Sequence, residues 1–116
     1  MKRIKVNNVE EFQELFDCSI RQELSLAVVD TIIKNLTTKT KTVKVAHISI
    51  VHPETEMVLA VERGEFLETL EQQLKDFEAA ELYEHCSKIY DAIKKLKIGK
   101  VIHDVQIHKK QTKKNN

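Results

Sequence analysis

Apolar and polar residues alternate along two neighbouring runs near the middle of the chain. The first run covers residues 42–51, the second covers residues 56–62, and a turn at residues 52–55 contains the single proline. Alternation with a period of two on either side of such a turn predicts a β-hairpin. Ile48 and Ile50 add apolar groups on the face opposite to the alternating valines. At least one face of the hairpin must therefore be covered by other elements.

The segment before the hairpin predicts one strand and two helices. Ile4 and Val6 alternate with charged residues at the N-terminus, which indicates a short strand at residues 2–6. Two apolar stripes with helical spacing follow, and each is preceded by a capping-box pattern. Asn8 with Glu11 opens the first helix and Ser19 with Gln22 opens the second.

The segment after the hairpin predicts two further helices and a last strand. Apolar residues in residues 65–97 form two stripes that are out of phase, and a turn at residues 79–82 explains the slip by making an antiparallel pair. Gly99 resembles a residue that ends a helix after a lysine-rich last turn. Residues 101–108 alternate again and predict a strand, and residues 109–116 predict a disordered basic tail.

These elements predict an α+β fold in the order β-α-α-β-β-α-α-β. We expect two layers, with a small antiparallel sheet of about four strands and two helical hairpins. The expected division is one domain over residues 1–108 and a tail over residues 109–116. Residues 44–52 and 100–108 share the pattern Lys-Val-x-His-x4-His, so an internal duplication and a coincidence both stay open.

Composition limits the class of protein. The chain has 116 residues, 41% hydrophobic and 32% charged, which is enough to bury one core without metal or disulfide support. It contains no apolar run long enough for a membrane span and no apolar N-terminal segment of the signal-peptide type. We expect a cytoplasmic protein in which Cys18 and Cys86 are reduced.

Apolar and acidic residues in the second half of the chain follow the spacing of a known helical hairpin. They are Leu70, Leu74 and the run Ala79-Ala80-Glu81-Leu82-Tyr83-Glu84-His85-Cys86-Ser87-Lys88-Ile89-Tyr90-Asp91-Ala92-Ile93. Residues 70–96 resemble the UVR motif of bacterial excision-repair proteins and of adaptors of Clp-type proteases, with Tyr83-Glu84 at the start of the second helix. Cys86-Ser87 stands where that motif usually has paired alanines. The resemblance implies protein–protein contact through the hairpin, and neither catalysis nor DNA repair.

The net charge of +1 conceals a separation of charge along the chain. Residues 54–84 contain ten acidic and two basic residues, whereas residues 85–116 contain nine lysines and two aspartates. Internal pairing between the two helices and a solvated helix face are both open, and the sharper hypothesis is a partner protein of complementary charge. The candidate partner-binding residues are Glu68, Glu71, Lys75, Glu78, Glu81, Tyr83 and Glu84.

Nucleic-acid binding is the main alternative. Lysines cluster before and within the predicted hairpin and again in the tail, where they could contact phosphates without sequence preference. The candidates are Lys39, Lys41, Lys44, Lys109, Lys110, Lys113 and Lys114. Against this alternative, the chain has only three arginines, and no aromatic residue lies among these lysines to stack on bases.

Motifs for catalysis and cofactor binding are missing from the sequence. It has no glycine-rich phosphate loop, no nucleophile elbow and no Cys or His pair at zinc-site spacing. We therefore expect no catalytic residue, no cofactor and no metal. The sequence predicts a small non-enzymatic interaction module, an adaptor, regulator or inhibitor, whose partner is another protein or a second copy of itself.

Overall fold

The computed structural model describes the backbone of residues 1–114 and the side chains of residues 1–99. It contains a three-stranded sheet and four α-helices, in the order β-α-α-β-β-α-α. The elements are β1 (Lys2–Val6), α1 (Val9–Glu14), α2 (Glu23–Lys34), β2 (Thr42–Ile50), β3 (Thr55–Glu62), a single 3₁₀ turn (Arg63–Glu65), α3 (Phe66–Ala79) and α4 (Tyr83–Lys114). The predicted α+β class and the central hairpin are confirmed.

The sheet is mixed, whereas the sequence predicted an antiparallel one. β2 lies in the centre, with β1 parallel to it on one side and β3 antiparallel to it on the other. Parallel strands need a crossover connection, and the segment that contains α1 and α2 supplies it between β1 and β2. The order β-α-α-β allows either direction for the second strand, so the element order did not determine that this pair is parallel.

A β-bulge in β2 corrects the assignment of its two faces. The pairing register between β2 and β3 shifts between Lys44 and Ala46. One extra residue in a strand moves each side chain that follows it to the opposite face of the sheet. Val43, before the bulge, therefore shares a buried face with Ile48 and Ile50 after it, and the isoleucines are not on an opposite face as expected.

The N-terminal caps confirm one prediction and overturn another. Asn8 caps α1, because its Oδ1 accepts a hydrogen bond from the Glu11 N–H at 2.9 Å. The reciprocal bond of the predicted capping box is displaced by one residue, because the Glu11 carboxylate accepts from the Asn7 N–H at 2.6 Å. The capping box expected from Ser19 does not form. The Ser19 hydroxyl instead donates to the Asp17 carboxylate at 2.6 Å, and α2 begins only at Glu23. An aspartate two residues away competes successfully for that hydroxyl.

The predicted fourth strand is a helix. α4 passes through Gly99 and through residues 101–108, so Gly99 does not end the helix and the sheet has three strands in residues 1–114. The two copies of the Lys-Val-x-His pattern consequently fall in β2 and in α4, which removes the structural basis for a duplication. The backbone of α4 also includes residues 109–114, and the division into domain and tail stays a prediction.

The core lies between the sheet and the helices. α2 packs against β2, α3 packs against α2, and α4 packs against α3. The largest fully buried side chains include two phenylalanines of α3, Phe66 and Phe77, together with Leu70 and Ile89. α3 therefore joins the sheet domain to α4 and presents its remaining surface to solvent.

Candidate protein-interaction surface on the C-terminal helical hairpin

A hydrogen-bonded turn connects α3 to α4. The Leu82 N–H donates to the Phe77 carbonyl at 2.9 Å and the Glu81 N–H donates to the Glu78 carbonyl at 3.1 Å. This pair of bonds is a Schellman motif, which requires a left-handed residue between the helices. Glu81 adopts that conformation, with φ of 60°. The turn predicted at residues 79–82 is confirmed, although its left-handed position is occupied by glutamate and not by glycine.

The two helices are held together by an apolar seam. Phe77 of α3 and Ile89 of α4 are fully buried, and Cys86 and Ile93 are nearly so. Their spacing along α4 is that of one helical face, which turns the opposite face outward. The apolar stripes recognised in the sequence therefore form this seam.

All seven candidate partner-binding residues are exposed. On α3, Glu68, Glu71, Lys75 and Glu78 are separated by three, four and three residues, which places them on one side of the helix. We call Glu68, Glu71 and Glu78 the acidic face. Glu81, Tyr83 and Glu84 follow at the turn and in the first turn of α4.

The acidic face forms no ion pair with those α4 lysines whose side chains are described. Among the side chains of residues 1–99, no ion pair joins α3 to α4. Arg21 forms an ion pair with Glu23, and the His47 ring lies 3.9 Å from the Glu56 carboxylate. Internal pairing between the helices, one of the open explanations for the charge separation, is therefore not seen in this part of the chain. The carboxylates of the acidic face remain exposed to solvent.

Tyr90 adjoins the acidic face and was missed by sequence reasoning. Its hydroxyl donates to Glu78 Oε1 at 3.2 Å, and this bond to a carboxylate raises the pKa of Tyr90. The side chain is 51% exposed, and Tyr83, seven residues earlier, is 64% exposed. Two tyrosines seven residues apart on one helix are a signal that could have identified this position.

Two lysines of the alternative site, Lys39 and Lys41, lie on a loop that Arg63 holds in place, and Lys44 lies in β2. Lys39, Lys41 and Lys44 are exposed. The Arg63 guanidinium donates to the carbonyl oxygens of Asn35 and Thr40, each at 2.8 Å, and also stacks over the Phe66 ring. Nothing in the sequence singled out Arg63, because its partners are carbonyl groups about 25 residues away. The side chains of the remaining candidates, Lys109, Lys110, Lys113 and Lys114, lie outside the described residues.

The two thiols are buried and unreactive. The Cys18 thiol donates to the Asp76 carbonyl at 3.3 Å and the Cys86 thiol to the Leu82 carbonyl at 3.6 Å. Burial raises the pKa of both thiols, and the nearby carboxylates of Asp76 and Glu78 raise them further. A thiol with a raised pKa is a poor nucleophile at neutral pH. Within residues 1–99, no three His, Cys, Asp or Glu side chains lie close enough together to hold a metal ion.

Comparisons with known proteins yield no relative. No family model, curated protein or solved structure matches the chain. In the described part of the chain, no helix has the length and apolar character needed to cross a membrane. The surface itself is therefore the basis for assigning a function.

Proposed function

We propose that the protein is a small non-enzymatic interaction module, acting as an adaptor, regulator or inhibitor, and that it binds another protein through the α3–α4 hairpin. The observation that carries this proposal is the acidic face, which is exposed and lacks ion pairs to α4 within the described side chains. The resemblance of residues 70–96 to the UVR-type hairpin of excision-repair proteins and Clp-protease adaptors supports the same conclusion.

The chemistry of this surface fits a basic partner. Glu68 and Glu71 repel each other at one-turn spacing, whereas Lys75 attracts Glu71 and Glu78 and leaves the surface with a net negative charge. A partner with lysines or arginines at matching positions would relieve that repulsion and would be steered to the surface by its field. Tyr83 and Tyr90 supply exposed aromatic area beside the carboxylates, and tyrosine is enriched among residues that dominate binding energy.

Charge reversal on the acidic face tests the proposal. The protein carrying Glu71→Lys and Glu78→Lys would be compared with the wild type in capture of partners from an extract of the source cells. A matched control carries Glu10→Lys and Glu54→Lys. These substitutions reverse the same amount of charge at exposed sites away from the α3–α4 hairpin. We expect the captured protein to be lost with the first pair and kept with the control. Equal capture by all three proteins would refute the proposed surface.

A second candidate function is non-specific nucleic-acid binding by the Lys39–Lys44 loop and the C-terminal lysines. The observation in its favour is that Arg63 fixes the loop while Lys39 and Lys41 stay exposed. Fluorescence anisotropy with labelled DNA and RNA, repeated as salt increases, tests this function. Binding that weakens steeply with salt and is abolished by Lys39→Glu with Lys41→Glu would support it.

A further inference from the structure

α3 forms one wall of a crevice on the side that faces the connection between α1 and α2. The centre of the crevice is a cavity of about 190 Å³. Its lining is mainly apolar and includes Leu24 and Val28 of α2, Leu59 and Val61 of β3, and Thr69 and Gln73 of α3. Phe16 also lines this cavity, and its side chain is 54% exposed. We call this feature the α3 crevice.

Gln73, which lines the α3 crevice, has a buried side-chain carbonyl oxygen without a hydrogen-bond partner. Oε1 of Gln73 is inaccessible to solvent and accepts no hydrogen bond from any described group. Buried polar atoms are nearly always hydrogen-bonded, and an unpaired one destabilises the fold. The Gln73 side chain is partly exposed, so rotation of its amide toward the cavity would let an occupant with an N–H or O–H donor satisfy this oxygen. The crevice is therefore better suited to a bound state than to an empty one.

The size and polarity of the cavity define which side chain fits. Pockets for drug-sized ligands have volumes of about 300–1,000 Å³, so the central cavity is too small for such a ligand and suits one large side chain. That side chain should be apolar over most of its surface and should carry a single donor for Gln73. Tryptophan meets both conditions, because its indole has one N–H donor and no acceptor that would be left unpaired.

Carboxylates flank the central cavity on both sides. An adjoining hollow, which Phe16 also lines, contains Asp17 and Asp76. A second hollow, which shares Gln73 with the central cavity, contains Glu65 and Glu68. Neither a lysine nor an arginine lines any of these three spaces. We therefore expect the partner to carry basic groups on both sides of the side chain that enters the central cavity.

We propose that the α3 crevice receives a basic helical segment of a protein partner, with one tryptophan in the central cavity and lysines or arginines one helical turn to either side. The crevice follows α3 from Glu65 to Ala80, which is about four helical turns. A partner helix that lays an apolar anchor into a groove of this length matches a common mode of peptide recognition. The inference rests on the proposed function, because it specifies the chemistry of the partner.

A synthetic peptide provides the direct test. The probe is an alanine-based helical peptide with one central tryptophan and lysines one turn before and one turn after it. The protein contains two tyrosines but no tryptophan, so fluorescence excited at the red edge of tryptophan absorption, where tyrosine does not absorb, reports the peptide alone. We expect a saturable blue shift of the emission. Two control peptides, one with tryptophan replaced by phenylalanine and one with glutamates in place of the lysines, are compared by competition.

Variants locate the binding in the crevice. Thr69→Phe places a ring at the mouth of the central cavity and should weaken binding at least tenfold. Gln13→Phe, at an exposed position of α1 that lines none of these three spaces, is the matched control and should leave binding unchanged. Gln73→Leu removes the unpaired oxygen, should fold at least as stably as the wild type, and should abolish the preference for tryptophan over phenylalanine, which we expect to be about fivefold.

The outcomes separate this inference from the proposed function. Absence of saturable binding, tighter binding of the glutamate peptide, or binding unaffected by Thr69→Phe would overturn the inference. If any of these results were found while capture of a partner still depended on Glu71 and Glu78, only the inference would fail. If the peptide bound as expected while the reversal of Glu71 and Glu78 left capture intact, the acidic face would be wrong and the α3 crevice would be retained.

Discussion

Replacement of Glu81 by glycine should stabilise the helical hairpin on which the proposed function depends. Glu81 has φ of 60°, a conformation that costs a residue with a Cβ atom about 1–2 kcal/mol. Glycine avoids this cost but loses about 0.5–1 kcal/mol through its greater freedom in the unfolded chain. The Schellman hydrogen bonds of the turn involve only backbone atoms and are kept. The expected net gain in the free energy of unfolding is about 0.5–1 kcal/mol.

Thermal unfolding followed by circular dichroism measures this effect. With an unfolding entropy of about 2.1 cal/mol/K per residue, the expected gain corresponds to a rise in Tm of about 2–4 °C for this chain. Glu71→Gly in the middle of α3 is the control, since the same substitution inside a helix should lower stability by about 0.5–1 kcal/mol. If the two variants lowered Tm alike, the left-handed turn and the hairpin built on it would be contradicted.

Three further results are expected. Arg63→Lys should lower the free energy of unfolding by about 1–2 kcal/mol and should speed tryptic cleavage within residues 37–41. The reason is that one ammonium group cannot replace the guanidinium hydrogen bonds to the carbonyl oxygens of Asn35 and Thr40. Unchanged cleavage would contradict the role of Arg63 in holding this loop. Hydrogen bonds from the backbone and side chain of Asn7 hold the pKa of Glu11 below its ordinary value of 4.5. The contribution of Glu11 to stability is therefore present above that pH and is lost as the pH falls through the folded-state pKa. Glu11→Gln should flatten this acid limb of the stability curve, and an identical limb in both proteins would count against the bond. Glu78→Gln should lower the raised pKa of Tyr90 in a phenolate absorbance titration, whereas an unmoved titration would show that the bond to Glu78 is absent in solution.

Local signals in the sequence were sufficient for the β-hairpin and for the C-terminal helical hairpin, whereas α1 and α2 do not pack as the predicted first helical hairpin. The alternation around the turn at residues 52–55 and the phase slip at residues 79–82 each reflect short-range geometry, and both elements form where they were expected. The exposure of the acidic face follows from the same periodicity, because the burial of Phe66, Leu70 and Phe77 fixes which side of α3 meets solvent.

Features that depend on tertiary contacts were not accessible in this way. Residues 101–108 alternate between apolar and polar as a strand would. The apolar residues of this region also fit the helical spacing of three and four residues, as shown by Ile98, Val101, Ile102 and Val105. A short alternating run therefore does not distinguish a strand from a helix. The bulge at Lys44 and Ala46 depends on pairing with β3, so the faces of β2 could not be assigned from β2 alone.

The candidate site was predicted in part. Its charged residues were recognisable because a helix exposes them in a regular row, whereas the α3 crevice joins residues from α2, β3 and α3 that are far apart in sequence. Arg63 was missed for the same reason, since its carbonyl partners belong to a distant loop.

Capture of partners from an extract of the source cells, with and without nuclease and at low and then moderate salt, tests the central claim most directly. The molar mass of the purified protein, measured by light scattering, shows whether a second copy is the partner. The proposed function predicts a stoichiometric protein partner that survives nuclease treatment and is lost when Glu71 and Glu78 are reversed. Nucleic acid that co-purifies and dissociates as salt rises, with no protein partner, would contradict it and would favour the lysine-bearing loop and C-terminal lysines as the functional surface.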